Sequence, residues 1–411
     1  MQELFKKEVG VTVMEDVLLL IVIAYGVSLG FGYLLEKYLK IPWMFASLFF
    51  GLVLSALGLF KGTIESDVFK LLETFGMYFL LFIIGFNLDF RTMGRLKKYV
   101  ILGTIIIIVC EGFFGSLLLY FVFPAEVGNS FLVALVTALS FATVGEAVLL
   151  PILAEFKVIK TTFGQLTLGI GTLDDIIEVL MLTVVAVLPG FLSTTQVQSI
   201  PDPSLILLDL ACLLLLTFVM MKLGRKIKRI LEKNHPPSYV PSLLTLLLCF
   251  SFIALGGFVF ESLATVGAIF GGMVFRGLLP KERLSENERA VEFLGYIFLS
   301  PIFFLSIGAS VSITSLLIYP SLIVLVWAVA KGSKLLSSFL LFRKLLGNKY
   351  SLLLGLGLSV RFSTSLIVQF ILFSSGFISL ALYSALIATA IFMKPVIITI
   401  YSWVLSKGKP P

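Results

Sequence analysis

Apolar runs of about 20 residues, each long enough to cross the hydrocarbon core of a bilayer as a helix, recur along the whole chain. This recurrence constrains the fold more than any other feature. Of the 411 residues, 59% are hydrophobic and 13% are charged, whereas water-soluble domains carry roughly 25% charged residues. The surface must therefore face lipid, and the sequence predicts an all-α integral membrane protein.

The runs predict thirteen spans, at about 14–36, 42–58, 68–88, 99–123, 129–154, 162–190, 204–222, 240–262, 264–279, 290–312, 318–342, 351–374 and 377–405. Basic residues collect in alternate loops, most densely in 222–233, while the opposite side holds only Lys61 and, at the N-terminus, Lys6 and Lys7. Because basic loops stay cytoplasmic, we expect a plasma-membrane protein with its N-terminus outside and its C-terminus in the cytoplasm. The net charge of +7 then reflects topology, and no nucleic-acid partner is expected.

The residues that most often mark enzymes or metal sites are scarce. The three cysteines, Cys110, Cys212 and Cys249, all lie in apolar runs, so a disulfide framework is not expected. The single histidine, His235, lies in a basic loop without metal-ligand neighbours in the sequence. Nucleotide-binding and hydrolase motifs are absent from the sequence. We therefore expect neither an enzyme nor a bound cofactor.

Two stretches resemble each other in composition and in their position relative to later spans. Residues 79–85 read FLLFIIG and residues 302–308 read IFFLSIG. Each stretch precedes three further predicted spans, and the two lie seven spans apart, so they enter the membrane from opposite sides. This order predicts an inverted repeat, which is typical of secondary transporters. Chance similarity between two apolar runs is the alternative.

Ionisable residues remain inside the predicted spans after the loops are removed. Such residues are costly in hydrocarbon and usually line a cavity or pathway. The acidic ones fall in the first repeat unit and the basic ones in the second: Glu111, Glu146, Asp174, Asp175 and Glu178, and then Lys331, Lys334, Arg361 and Lys394. This division predicts a charge-balanced site at the interface between the two units.

The adjacent aspartates Asp174 and Asp175 are the sharpest feature of that set. Neighbouring side chains on a helix diverge by about 100°, so the two carboxylates need not share one task. One can bind a cation and release its proton while the other pairs with a base, and a purely structural salt bridge is the alternative. Glu178, one turn later, either tunes their protonation or faces a vestibule.

Two short polar stretches interrupt predicted spans at matching places in the two repeat units. Residues 140–146 read SFATVGE and residues 361–365 read RFSTS. Irregular backbone at membrane depth is tolerated where it lines a cavity, so we expect two broken helices that cross, with Glu146 and Arg361 neutralising their ends. Thr143 is the candidate ion ligand beside the aspartates. Continuous helices whose hydroxyls bond their own carbonyls are the alternative.

From about residue 17 to residue 400, the chain resembles the monovalent cation:proton antiporter-2 family, within the sodium/proton exchanger superfamily. The stretch KIPWMFASLFFGLVLS is similar to the family pattern lPxxlgyllaGillG. FLLFIIGFNLDF is similar to lLLFliGLeldl, and PIFFLSIGASVSI to piFFvsiGlxldl. TLGIGTLDDIIEVLML resembles the family's double-aspartate helix. The order of these motifs, together with the aspartate pair, carries the resemblance.

The resemblance implies roles for individual residues. Asp175 matches the carboxylate that binds the cation and the proton, and Asp174 matches the neighbour that pairs with a lysine. Lys334, in KLLSSFLLFRKLLG, matches that lysine, and Lys331 one turn earlier competes for the role. Arg361 matches the arginine of a Pro-Arg-Gly-Glu segment.

The sequence departs from the family pattern around the second interruption. Val360, Phe362 and Ser363 stand where the family has Pro, Gly and Glu, and Glu146 stands where it has small and hydroxyl residues. These departures leave the choice of ion and the stoichiometry open. Lys394 either competes with the other two lysines for Asp174 or pairs with Glu111.

The resemblance implies a homodimer with a moving core and a fixed dimerisation domain. The expected units are N-terminal dimerisation helices (1–67), the first repeat unit (68–190), a linker with dimerisation helices (191–289), the second repeat unit (290–405) and a cytoplasmic tail (406–411). We expect exchange of a monovalent cation, Na⁺ first and K⁺ or Li⁺ next, for protons, with no regulatory nucleotide-binding domain. The alternatives are a channel-like potassium efflux protein of the same fold and a cation-responsive membrane sensor.

Overall fold

The computed structural model describes most of the chain, with gaps between some of its helices. It covers residues 2–39, 42–87, 96–141, 156–192, 203–234, 239–258, 263–278, 291–360 and 363–408, and the separate positions 149, 153, 237, 289, 410 and 411. The described residues form helices and their connections, and none of them lies in a strand. The expectation of an all-α protein is confirmed.

Fifteen helices are described, and the predicted apolar runs fall on them. Their bounds are α1 Gln2–Leu39, α2 Phe45–Leu57, α3 Lys61–Ile64, α4 Asp67–Asn87, α5 Lys97–Leu117, α6 Phe131–Ser140, α7 Thr162–Leu192, α8 Pro203–Asn234, α9 Tyr239–Gly256, α10 Leu263–Leu278, α11 Ser300–Ala309, α12 Ile313–Ile318, α13 Pro320–Gly357, α14 Ser363–Ser374 and α15 Leu380–Ser406. A π turn at Leu118–Val122 continues α5, and another at Phe293–Leu299 precedes α11.

Among the described residues, five helical segments are long and apolar enough to cross a membrane: Met14–Tyr38, Asp67–Phe86, Lys97–Val122, Leu207–Gly224 and Pro320–Gly357. Shorter apolar helices account for most of the other predicted spans. Large apolar side chains point outward, among them Leu29, Phe121 and Phe258, as lipid-facing surfaces require. The chain is a multi-pass membrane protein, and the number of thirteen crossings stays a prediction.

Helix α13 joins two predicted spans through a kink. Gly347, with φ 74° and ψ 168°, is the non-helical residue inside it. A positive φ of this kind is readily adopted only by glycine, so the chain can turn there without strain. The helix is therefore two segments, 320–346 and 348–357, and the second leads into the interruption before α14.

The helices pack mainly in two groups. In the first, α2 and α4 pack against α11, and α4 also packs against α10, which lies against α9. In the second, α5 packs against α6, α7 and α13, and α13 packs against α15. Helix α7 touches both groups, because it contacts α10 as well as α5, α13 and α14. The unit boundaries expected from the sequence stay predictions.

The two apolar motifs that indicate an internal repeat end in glycines with the same packing role. A Cβ atom on Gly85 of α4 would lie 1.9 Å from the Ile269 carbonyl oxygen of α10. One on Gly308 of α11 would lie 2.0 Å from the Leu48 carbonyl oxygen of α2. Both glycines thus let two helix backbones touch, as small residues do in membrane proteins. This equivalence favours the inverted repeat over chance similarity.

Candidate functional site

The end of α6 and the start of α14 meet inside the protein. Helix α6 ends at Ser140, and after the second interruption α14 begins at Ser363. The buried Ser365 hydroxyl donates to the Ser140 carbonyl oxygen at 2.8 Å, and the Gln369 amide donates to Ser365 at 3.0 Å. The last turn of α6 therefore obtains a hydrogen-bond donor from α14, as broken helices at membrane depth require.

Two lysines of the segment 320–346 donate hydrogen bonds to carbonyl oxygens just after the end of the segment 348–357. Lys334 Nζ donates to the Leu358 carbonyl oxygen at 2.8 Å, and Lys331 Nζ donates to the Ser359 carbonyl oxygen. Both lysines lie on α13, three residues apart and therefore on one face of the helix. The C-terminal end of a helix carries partial negative charge, so the two ammonium groups neutralise it.

Lys334 also forms a buried ion pair. Its Nζ lies 3.4 Å from Glu111 Oε2 on α5, and both side chains are almost completely buried. Buried charges are stable only when they are paired and hydrogen-bonded, and this pair combines an acid of the first repeat unit with a base of the second. The predicted pairing of Lys334 with Asp174 stays a prediction.

Asp174 lies on α7 with 3% of its surface exposed. Helix α7 approaches α5 closely at Gly169, where a Cβ atom would lie 2.8 Å from Val100 Cγ2. Asp174 follows five residues later on the same helix. This half of the double-aspartate motif is therefore inside the protein, on a helix that packs against α5, α6, α13 and α14.

The remaining predicted site residues are described in part or not at all. Thr143, Glu146 and Arg361 lie outside the described residues. Asp175 and Glu178 belong to α7, and Lys394 belongs to α15, but their side chains are not among those described. Their predicted roles stay predictions.

The sequence alone did not reveal two contacts and one buried acid. Glu111 was recognised as a stranded acid, but its pairing with Lys334 was not predicted. The Ser365–Ser140 hydrogen bond could not be found from one sequence, because the two residues are 225 positions apart. Glu73 was not singled out, although it is an acidic residue inside an apolar span, in the second turn of α4. The same pattern identified the other stranded acids.

Comparisons with known proteins show the family to which the chain belongs. The family described as sodium/hydrogen exchanger, transmembrane, matches residues 15–407. A Na⁺/H⁺ antiporter of Enterococcus hirae is 26% identical over 391 residues, covering 91% of this chain and 94% of that protein. The Na⁺/H⁺ antiporter NhaS4 of Synechocystis is 26% identical over 405 residues, covering 93% and 96%.

A solved structure gives the same fold. The sodium proton antiporter MjNhaP1 of Methanocaldococcus jannaschii superposes with a TM-score of 0.64 at 17% identity, covering 95% of this chain and 99% of that one. The family match extends over nearly the whole chain and includes α4, α5, α7 and α13, which bear the buried charges. The chain belongs to the sodium/hydrogen exchanger family.

Proposed function

We propose that the protein is a secondary active transporter that exchanges Na⁺ for protons across the plasma membrane. Family membership supports this proposal, as do relatives named Na⁺/H⁺ antiporters. The observation on which it depends is the buried ion pair of Lys334 and Glu111, in a core where the end of α6 meets the start of α14. Buried charge around broken helices is how secondary transporters form an ion site.

Asp175 is the proposed shared ligand for the cation and the proton, with Asp174 and Thr143 beside it. Competition for one carboxylate gives exchange, because the carrier changes sides easily only when that carboxylate is protonated or bound to a cation. A bare carboxylate would have to cross an apolar barrier at a large desolvation cost. Glu178, Glu146 and Arg361 are proposed to adjust the charge around this ligand.

Lys334 is the proposed link between ion entry and a further proton. If it also pairs with Asp174, a cation arriving at the aspartates would displace the ammonium and leave it free to lose its proton. Such exchange would move more than one proton per cation and would be electrogenic. Lys331 and Lys394 are the competing candidates for this pairing.

The proposed mechanism is alternating access of the elevator type in a homodimer. The packing of the helices in two groups joined through α7 supports one group moving against the other. The proposed orientation places the N-terminus outside and the C-terminus in the cytoplasm, in agreement with the basic loops. No cofactor and no regulatory nucleotide-binding domain is part of this proposal.

The test is cation-driven pH change in proteoliposomes with Na⁺, Li⁺ and K⁺ gradients. We expect Na⁺ to drive proton movement in the wild type and Asp175→Asn to abolish it. Exchange at the wild-type rate by Asp175→Asn would contradict the assignment of Asp175. Electrically silent exchange would contradict the proposal that Lys334 releases a further proton. Unitary currents without proton counter-transport would identify a channel-like potassium efflux protein, and ion binding without turnover would identify a sensor.

A further inference from the structure

Lys349 and Lys407 are two exposed cations that the proposed exchange mechanism does not use. Lys349 lies just after the kink at Gly347 in α13, and Lys407 follows the last residue of α15. No aspartate or glutamate follows Glu292 in the sequence, so neither ammonium group has an acidic neighbour on its own helix. Their charge is therefore available to an anionic partner from outside the chain.

The tail after α15 brings these two lysines to the same corner of the protein. The Tyr350 hydroxyl donates to the Gly408 carbonyl oxygen at 3.1 Å, and each of these residues is the chain neighbour of one lysine. Further along the tail, the Phe163 backbone amide in the first turn of α7 donates to the Pro411 backbone oxygen at 3.0 Å. The Phe163 and Tyr350 ring centroids are 5.9 Å apart. The tail, α7 and the segment 348–357 are thus held together here.

Each of the two ammonium groups lies over an aromatic ring. Lys349 Nζ is 5.2 Å from the ring centroid of Tyr350, and Lys407 Nζ is 3.6 Å from that of Trp403. Tyrosine and tryptophan are enriched where a membrane protein crosses the boundary between lipid and water. Lysine side chains near helix ends likewise carry their charge to that boundary. This corner therefore lies at the depth of the lipid headgroups.

An exposed apolar stripe on α15 leads up to the same corner. It consists of Val396, Ile400 and Trp403, whose side chains are all exposed. Together with Lys407 they follow one another at spacings of four, three and four residues, which places them on one face of the helix. An acyl chain can lie along the three apolar side chains while its headgroup reaches the lysine.

We propose that Lys349 and Lys407 bind the phosphate of one anionic phospholipid, whose acyl chain lies along the exposed stripe of α15. Two cations without acidic neighbours favour a headgroup with net negative charge over a zwitterionic one. The occupant is a lipid because the stripe continues from the headgroup level into the bilayer. Bound lipid fixes the segment 348–357, which ends beside the carbonyl oxygens that the buried lysines of α13 reach. Anionic lipid should therefore raise the rate of exchange, a consequence that rests on the proposed antiport.

Fluorescence quenching by brominated lipids tests the site without transport. The probe variant keeps Trp403 as its only tryptophan, with Trp43 and Trp327 replaced by phenylalanine. In phosphatidylcholine vesicles, we expect a small share of brominated phosphatidylglycerol to quench Trp403 more than the same share of brominated phosphatidylcholine does. Lys349→Gln combined with Lys407→Gln should remove this preference, because each lysine contributes about fivefold to the affinity. Equal quenching by the two lipids in the probe variant would overturn the proposal.

The matched control is Lys222→Gln combined with Lys226→Gln. It removes two exposed lysines from α8, and Lys222 Nζ also lies over an aromatic ring, 4.4 Å from the centroid of Phe218. The control should keep the preference for phosphatidylglycerol. An equal loss in both double variants would mean that surface charge attracts anionic lipid everywhere alike, and it would overturn the site.

Native mass spectrometry gives a second measurement in case the probe variant does not fold. The protein with all its tryptophans should retain one phosphatidylglycerol that the Lys349→Gln, Lys407→Gln variant lacks, and retention of that lipid by the variant would overturn the site. Equal exchange in vesicles with and without phosphatidylglycerol would overturn the effect on transport. Absence of exchange by the wild type under all lipid conditions would defeat the proposed function and leave the quenching test standing.

Discussion

Lys334 shows at the scale of one residue how a charge is kept inside a membrane protein. Its ammonium group is fully buried, and it reaches the Leu358 carbonyl oxygen and the Glu111 carboxylate at the same time. Neither partner alone would compensate for the loss of hydration, because desolvating an ion costs several kcal/mol. The stabilities of the two groups are therefore coupled. Removing one of them leaves the other as a buried charge without compensation.

Substitution of Lys334 by Met should destabilise the protein by about 3–5 kcal/mol, because it takes the ammonium group away from the buried Glu111 carboxylate. The double variant with Glu111→Gln should recover a large part of that loss, since the charge of the carboxylate is removed as well. Thermal unfolding of the detergent-solubilised protein measures both.

The control for these two variants is Lys344→Ala, which removes an exposed lysine from the same helix. It should leave the melting temperature close to that of the wild type. If the double variant were as unstable as Lys334→Met, the ion pair would not be the source of the effect.

At the scale of elements, the helix ends at the site receive hydrogen-bond donors from other helical segments. The Ser365 hydroxyl reaches the last turn of α6, while the end of the segment 348–357 receives its donors from α13. Ser365 and Ser140 are 225 positions apart, whereas Lys331 and Lys334 belong to the first segment of α13 and reach past the kink at Gly347.

Ser365→Ala should cost about 1 kcal/mol, the usual contribution of one intramolecular hydrogen bond. It should also slow Na⁺-driven proton movement, because the end of α6 loses its support. Ser374→Ala is the matched control, because that hydroxyl on the same helix bonds to the carbonyl of Ile371 in its own helix. Equal transport rates in the two variants would contradict a role for the inter-helix bond.

Helix crossings at glycine give a second prediction at this scale. Gly308→Ala should destabilise the protein by about 1–3 kcal/mol, because its Cβ would overlap backbone that cannot move away cheaply. The overlap is at the Leu48 carbonyl oxygen, 2.0 Å away.

Gly26→Ala is the control for this crossing, since nothing lies within 4 Å of a Cβ there, and helical alanine is favoured over glycine by roughly 0.5–1 kcal/mol. Melting temperatures should therefore fall for Gly308→Ala and hold or rise for Gly26→Ala. A fall of similar size in both would count against the packing role.

For the whole molecule, the apolar runs located the helices well and left their polar extensions undefined. Helix α8 continues to Asn234, beyond the predicted end of the span at residue 222, because Lys and Arg favour helix as well as apolar residues do. Gly347 divides α13 by a kink that periodicity cannot detect. Asp174 and Lys334 were predicted to be buried. Their partners depend on contacts between distant helices, which one sequence does not contain.

The orientation of the molecule can be measured with single cysteines in a variant whose three native cysteines are replaced by serine. Lys226→Cys, on the exposed basic end of α8, should react with a membrane-impermeant maleimide only after permeabilisation. Glu65→Cys, exposed before α4, should react in intact cells. The reverse pattern would invert the predicted topology.

Lys331 and Lys334 place two ammonium groups at the end of the segment 348–357. Their ammonium groups already occupy the Leu358 and Ser359 carbonyl oxygens, which are the oxygens that a helix end would otherwise present to a dissolved ion. Under the proposed mechanism, a cation therefore takes its ligands from the residues after α6 and from α7, and not from these carbonyl oxygens. On that proposal the protein's own ammonium groups fill one side of the cation site and leave the opposite side for the transported ion.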